Sequence, residues 1–238
     1  AGAAGELARI LMRDRELEKG EKWEASEKLS QILRQATGIA KAPFVAQFVK
    51  LLVESGEKVV LYGWHREVYG IWLKLLADLR PALYTGSETA AQKERSKTSF
   101  MLRRGDAHYH ETGTDVLIMS LRAGAGLDGL QSVCRTAVFG ELDWSPAVHE
   151  QNVGRIYRDG QPDPVIAYFL VADAGSDPTV ADVLGLKRAQ SDALRDPSMD
   201  VVEVQADGDH VRRLAESYMQ QRGLQVEARM VSAAGGTS

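Results

Sequence analysis

Cysteine is nearly absent from these 238 residues: Cys134 stands alone, so an internal disulfide is excluded and the fold has to rest on its apolar core. A single thiol also fits a reducing compartment, and without a histidine partner in the sequence Cys134 reads as core. No apolar run approaches the roughly 18 residues of a membrane-spanning helix, and no charged-then-apolar leader precedes a cleavage site. The expectation is a soluble intracellular protein, cytoplasmic or nuclear, with no membrane partner. Positive charge is in short supply too. With 29 Lys and Arg against 33 Asp and Glu the formal charge is -4 at pH 7, which argues against a free-standing nucleic-acid binder. If DNA is bound, this chain does not grip it alone. His108, His110 and Glu111 form the only metal-like cluster, and it lacks the closed four-ligand spacing of a structural zinc site, so no metal ligand is expected. Internal repeats are missing, and low complexity is confined to Ala1-Gly-Ala-Ala-Gly5 and Ala233-Ala-Gly-Gly-Thr-Ser238. Those ends read as belonging to a fragment or an engineered piece.

What is present is an alternation of helix-like and strand-like stretches. Charges dominate from Glu6 to Gln35, with Leu7, Ile10 and Leu11 and then Leu29, Ile32 and Leu33 at helical spacing, and Gly38 offers a stop. Phe44, Val45, Phe48 and Leu52 mark a further helix, and Lys58–Tyr62 a buried strand. Val68, Ile71, Trp72, Leu75 and Leu79 form the next stripe, Ala82–Tyr84 a short strand, and Thr89 with Gln92 a capping box. Asp115–Met119, Thr136–Phe139 and Val165–Val171 supply three more strands. This alternation predicts an α/β protein whose parallel sheet carries helices on both faces. Arg103–Thr114 interrupts it as a mobile insertion. Asp177-Pro178 reads as a cap and first-turn pair, and a last helix with Val211, Leu214 and Tyr218 ends near Gly223. The expected organisation is a helical lead-in over 1–40, a sheet domain over 41–185 and a helical C-terminal extension over 186–238.

The chemistry concentrates in Gln151-Asn-Val-Gly-Arg-Ile-Tyr-Arg-Asp-Gly-Gln161. Arg155 and Arg158 lie three apart at the start of what reads as a helix, so both guanidiniums can point one way and suit a polyphosphate. By spacing alone a solvated helix face is the favoured reading of the pair. Upstream, Gly124, Gly126 and Gly129 follow a strand, where glycine lets backbone approach a ligand or simply makes a tight turn. Trp144 sits in a polar turn although tryptophan is ordinarily core, and His65-Arg66 follows a strand, where a solvated loop is the plain reading.

The whole pattern goes further than its parts. Gln151-x-x-Gly154-Arg155-x-x-Arg158 resembles the sixth motif of superfamily-two helicases, and its continuation Asp159-Gly160-Gln161 resembles the Arg-x-Gly-Gln ending of Swi/Snf-type ATPases. Asp143-Trp144-Ser145-Pro146 is similar to the Asp-Trp-Asn-Pro segment that precedes this motif there. Ser120-Leu-Arg-Ala-Gly-Ala-Gly-Leu-Asp-Gly-Leu130 resembles the fifth motif, Ser-x-x-Ala-Gly-Gly-x-Gly-x-Asn-Leu. Leu33-Arg34 with Thr37-Gly-Ile-Ala-Lys-Ala42 resembles the entry to the second lobe in fork-remodelling, strand-annealing relatives. Departures accompany the matches. Gly154 stands for the aspartate usual in Swi/Snf members, Tyr157 for a histidine, and the fifth-motif glycines are displaced by about one position.

The resemblance implies the C-terminal RecA-like lobe of a DNA-dependent ATPase that moves along double-stranded DNA. It implies Arg155 and Arg158 as catalytic fingers, Gly124, Gly126, Asp128 and Gln151 at ATP, and His65, Arg66, Ser120, Arg122 and Trp144 at DNA. Gly-x-x-x-x-Gly-Lys-Ser/Thr, the loop that cradles phosphates, occurs nowhere in the chain, nor does the acidic box that holds Mg2+. ATP and Mg2+ are therefore expected to need a first RecA-like lobe as partner, with the Mg2+ ligands on that lobe, and this chain alone is expected to be inactive. A strand-separating helicase, a restriction or phage-defence motor, and a degenerate docking lobe are the rival readings. The intact arginine pair argues against the last.

Overall fold

Among the described residues, short runs of Val, Ile, Leu and aromatic residues become five strands: β1 (Val59–Gly63), β2 (Ala82–Tyr84), β3 (Val116–Ser120), β4 (Thr136–Phe139) and β5 (Ile166–Phe169). The computed structural model describes residues 4, 5, 8, 19–123, 127–185 and 210–221. All strand pairs are parallel, in the order β2-β3-β1-β4-β5. β1, β3 and β4 are buried along their whole length, which is why their sequences run continuously apolar instead of alternating.

The period of two is still visible in where the side chains go. Val59 and Leu61 of β1, Val116 and Ile118 of β3 and Val138 of β4 join one core cluster. Val60 and Tyr62, Leu117 and Met119, Ala137 and Phe139 join the other. The first cluster is closed by Ala42, Val45, Ala46, Val49 and Val53 of helix α1 (Lys19–Glu54) and by Val68, Tyr69 and Trp72 of α2 (Arg66–Leu75). The second takes Phe100 of α3 (Ala90–Met101), Leu130, Ile156 and Val180. The fold is the expected RecA-like α/β sheet with helices on both faces and helical extensions. By compactness the chain divides into Leu33–Asp207, which holds the sheet, and a unit of Ala1–Ile32 with Gly208–Ser238. In the latter, α1 buries Leu29, and the last helix, His210–Gln221, buries Ala215 and Met219. Leu7, Ile10 and Leu11 lie outside the described residues.

Three local expectations are corrected. Gly38 does not stop a helix: α1 continues through it and through Pro43 to Glu54. A Cβ at Gly38 would lie 2.6 Å from Glu141 Oε1, so the missing side chain makes room for a buried carboxylate. Between Glu24 and Glu54 this helix is long and apolar enough to cross a membrane by length and composition, yet its Val45, Val49 and Val53 are spent on the sheet. Next, Arg103–Thr114 is tethered. Arg104 donates to Asp115 Oδ2 at 2.8 Å and to Val53 O at 2.7 Å, and Tyr109, on the short helix α4 (Tyr109–Thr112), donates to Asp115 Oδ2 at 2.5 Å. Finally, the residue before helix α6 (Asp177–Val183) is Ser176, and Asp177 turns inward to accept from Lys41 Nζ at 2.5 Å.

Other expectations hold as read. Thr89 Oγ1 accepts from Gln92 N at 3.3 Å while Gln92 Oε1 accepts from Thr89 N at 2.8 Å, closing the capping box. Cys134 is buried, and burial pushes its thiol up to about 12. Gly63 and Gly140, which end β1 and follow β4, both face Trp72, and a Cβ on either would come within 2.6 Å of the indole.

Gly38 and Gly70, each inside a helix, predict opposite outcomes. Gly70 of α2 has nothing within 4 Å of an added Cβ, so Gly70→Ala gains about 1 kcal/mol of helix propensity. Gly38→Ala displaces Glu141, and overpacking of about 1–3 kcal/mol outweighs the same propensity gain. Urea melts of both variants check the signs.

Candidate functional site

All strands of a parallel sheet end on one side, and ligands of such sheets bind beyond the carboxyl ends where the connections diverge. Here β1 leads towards β2 on one side, and β4 leads to β5 on the other. The loops after β3, β1 and β4 stand next to one another, because these strands are neighbours. They carry Arg122, just past Ser120 at the end of β3, His65, and Trp144, which lie far apart in the sequence.

The loop after β4 organises its neighbours. Glu141, 4% exposed, accepts from Trp64 N at 2.7 Å and His65 N at 3.0 Å through Oε2, and its Oε1 lies 2.5 Å from His65 Nδ1. Asp143, 1% exposed, accepts from Arg122 Nε at 3.2 Å and from Ser145 N at 3.0 Å, and Arg34 Nη2 lies 3.7 Å from it. The Arg122 guanidinium also lies 5.4 Å from the centre of the Trp64 ring, within cation–π range. So a histidine and an arginine of two loops are each held by a carboxylate of a third. Arg66 is exposed at the start of α2, and Ser120 Oγ lies 3.4 Å from Arg122 N. Trp144 is half-buried and packs against the second core cluster.

Helix α5 (Pro146–Val153) starts with proline at its first turn, where a missing N–H costs nothing, and Ser145 before it. Asp143 N donates to His149 Nε2 at 3.3 Å, so the ring proton is on Nδ1, which lies 3.0 Å from Ser145 O. Asn152, 1% exposed, donates to Leu121 O at 2.7 Å, and Tyr62 donates its hydroxyl to Asn152 O at 3.1 Å. Burial pushes the Tyr62 phenol up, which keeps it a donor.

Arg155 and Arg158 do not open a helix: α5 ends at Val153, and both follow it in turns. Nor do they point together. Arg155 is buried and donates to Ala123 O at 2.7 Å and to Asn152 Oδ1 at 3.3 Å. Arg158 is half-exposed, donating to Gly154 O at 3.0 Å and pairing with the exposed Asp128. The two side chains thus hold opposite ends of the glycine loop after β3. Gly124 and Gly126 lie outside the described residues. Gln151 is exposed, whereas Gln161 turns back to donate to Cys134 O at 2.8 Å and Ile156 O at 3.0 Å.

Glu141, Asn152, His149 and Trp64 are absent from the sequence-derived set. A carboxylate two residues past a buried strand was a usable signal for Glu141, since such a group needs hydrogen-bond donors around it. Nothing in spacing marks Trp64 or His149. His108 and Glu111 lie 3.6 Å apart on an exposed turn.

No family model matches the chain. Over 171 residues it is 25% identical to the SWI/SNF-related matrix-associated actin-dependent regulator of chromatin subfamily A-like protein 1 of Drosophila melanogaster, covering 71% of this chain and 22% of that protein. The Bos taurus protein of the same name is 31% identical over 144 residues, 59% of this chain and 14% of its own. A DNA repair and recombination protein RAD54-like of Drosophila virilis is 27% identical over 143 residues, 60% of this chain and 17% of that protein. The chain therefore spans 22% or less of the length of these curated relatives. Among solved structures, the C-terminal part of the Fun30 ATPase domain superposes with a TM-score of 0.52 at 15% identity, over 75% of this chain and 52% of that one. Together with the sheet order, these similarities support the RecA-like α/β fold of a helicase-like ATPase.

The geometry around His149 predicts a pH dependence. Burial, the largest influence on it, pushes the imidazole below its ordinary 6.5, so the folded protein keeps it neutral while the unfolded chain protonates near that value. Its contribution to stability is complete above about 6.5 and is lost as pH falls from there through the lowered folded value. Urea melts between about pH 8 and pH 5 should show this loss, and His149→Gln should remove that part of the slope.

Proposed function

We propose that this chain is the C-terminal RecA-like lobe of a Swi/Snf-type ATPase that translocates on double-stranded DNA, completed by a first lobe of the same protein. The observation that carries the reading is the convergence of the arginine segment on the glycine loop at the carboxyl edge of the sheet, with Arg155 on Ala123 O and Arg158 on Asp128. ATP is bound between lobes, with Gly124, Gly126, Asp128 and Gln151 on this side and the Mg2+ ligands on the other. Arg158 suits a finger because its partner Asp128 is exposed, so the guanidinium can exchange one anion for another at little desolvation cost. Arg155, buried against the same loop, stabilises charge from behind it as the cleft closes. His65, Arg66, Ser120, Arg122 and Trp144 face DNA, and their shift against the first lobe's contacts turns each cycle into a step. The similarity to SWI/SNF-related and RAD54-like proteins supports both the motor and an intracellular, DNA-associated setting.

Steady-state ATPase assays test this. The isolated chain should show no turnover with or without DNA. In the two-lobed protein, Arg155→Ala or Arg158→Ala should each lower kcat by roughly a thousand-fold or more, the scale of arginine fingers, with Lys rescuing poorly. A kcat within about two-fold of wild type for Arg158→Ala removes its assignment as a finger. Trp144→Ala should keep basal turnover but lose DNA stimulation and triplex displacement. A merely structural tryptophan would instead show a melting loss approaching the roughly 3–5 kcal/mol of truncated core tryptophans.

A further inference from the structure

We propose that Glu141 is a positioning residue that fixes the protonation of His65 and aims it at a phosphodiester oxygen of DNA. The inference rests on the DNA-contact reading above and deepens it. Glu141 itself is buried, its side chain 4% exposed, and so touches no ligand. Its acceptors are divided: Oε2 takes the backbone N–H groups of Trp64 and His65, and Oε1 faces the His65 ring. A carboxylate so placed offers only lone pairs, hence the ring proton belongs on Nδ1. Nε2 then has no partner among the described residues. With a phosphate oxygen at Nε2 the ring stands between two acceptors and carries an N–H at each nitrogen, which is the imidazolium, a charged contact to the backbone. The room for this carboxylate comes from Gly38, whose missing side chain Oε1 partly replaces. Two residues along the same loop, Asp143 holds Arg122 in the same manner. A buried acid behind each of two cations in the proposed DNA set is an arrangement for orienting donors outward.

Glu141→Gln separates position from charge. The amide oxygen can keep both backbone N–H groups while the amide nitrogen donates to Nδ1, forcing the ring proton to Nε2. Long-range 1H–15N spectra of the isolated chain above the imidazole titration should show the Nδ1–H form in wild type and the Nε2–H form in Glu141→Gln. In the two-lobed protein, duplex affinity measured by fluorescence anisotropy across about 50–200 mM salt should lose about one unit of salt slope, the signature of one phosphate contact. Affinity at the low-salt end should fall about ten-fold, the scale of one hydrogen bond to a charged group. His65→Gln should reproduce the slope change, and adding Glu141→Gln to it should change nothing further. A wild-type ring protonated at Nε2, or additive effects in the double variant, overturns the proposal. So does an unchanged slope in His65→Gln, which reads the contact even if Glu141→Gln fails to fold. The spectra do not depend on motor activity. A correct tautomer with an unchanged slope therefore sinks the positioning role alone, and the ATPase tests of Arg155 and Arg158 stand apart.

Discussion

Two buried carboxylates, Glu141 and Asp143, hold the carboxyl edge of the sheet together. Each is nearly inaccessible to water and surrounded by donors: Trp64 and His65 of the loop after β1 for one, and for the other Arg122 of the loop after β3, Arg34 of α1 and the neighbouring Ser145 N–H. Burying an acid is costly unless it is fully hydrogen-bonded, so the loops after β1 and β3 are held where they satisfy the loop after β4. The other features around the site follow from this requirement. Gly38 is bare so that Glu141 fits, and α1 runs unbroken past it so that Arg34 and Lys41 reach the same edge.

The arginine segment obeys a related logic. Asn152, Arg155 and Gln161 all turn inward onto backbone carbonyls of Leu121, Ala123, Cys134 and Ile156, stitching the end of α5 and the turns after it to the connection between β3 and β4. Backbone carbonyls left buried and unpaired would each be expensive, so these side chains do for the turn what ladder bonds do for a strand. That frees Arg158 to be the member of the motif that faces outward. One run of polar residues thus turns partly inward, onto backbone carbonyls, and partly outward.

The strands were legible within a residue or two, because a two-sided parallel sheet demands short continuous apolar runs and helices between them. The capping box at Thr89 was legible because both of its bonds are local. The errors share a cause. Gly38 and Asp177 were read by their local habits, as helix stop and cap, yet tertiary partners overrode those habits: Glu141 for the glycine and Lys41 for the aspartate. The insertion at Arg103–Thr114 looked loose since its anchors, Asp115 and Val53, are partners that composition does not reveal.

For the site, the residue types and their order along the chain were already decided by the sequence: arginines after a glycine loop, a histidine–arginine pair after a first strand, a tryptophan after a fourth. Those are properties of spacing, and spacing survives folding. Which atoms meet was decided only in three dimensions. Strand order puts β1 between β3 and β4, so loops far apart in the chain become neighbours, and only then can Glu141 find His65, Asp143 find Arg122, and the two arginines separate into one buried and one exposed. A buried polar group takes its partner from whatever the topology brings within about 3 Å, and that choice is not encoded in the residues on either side of it.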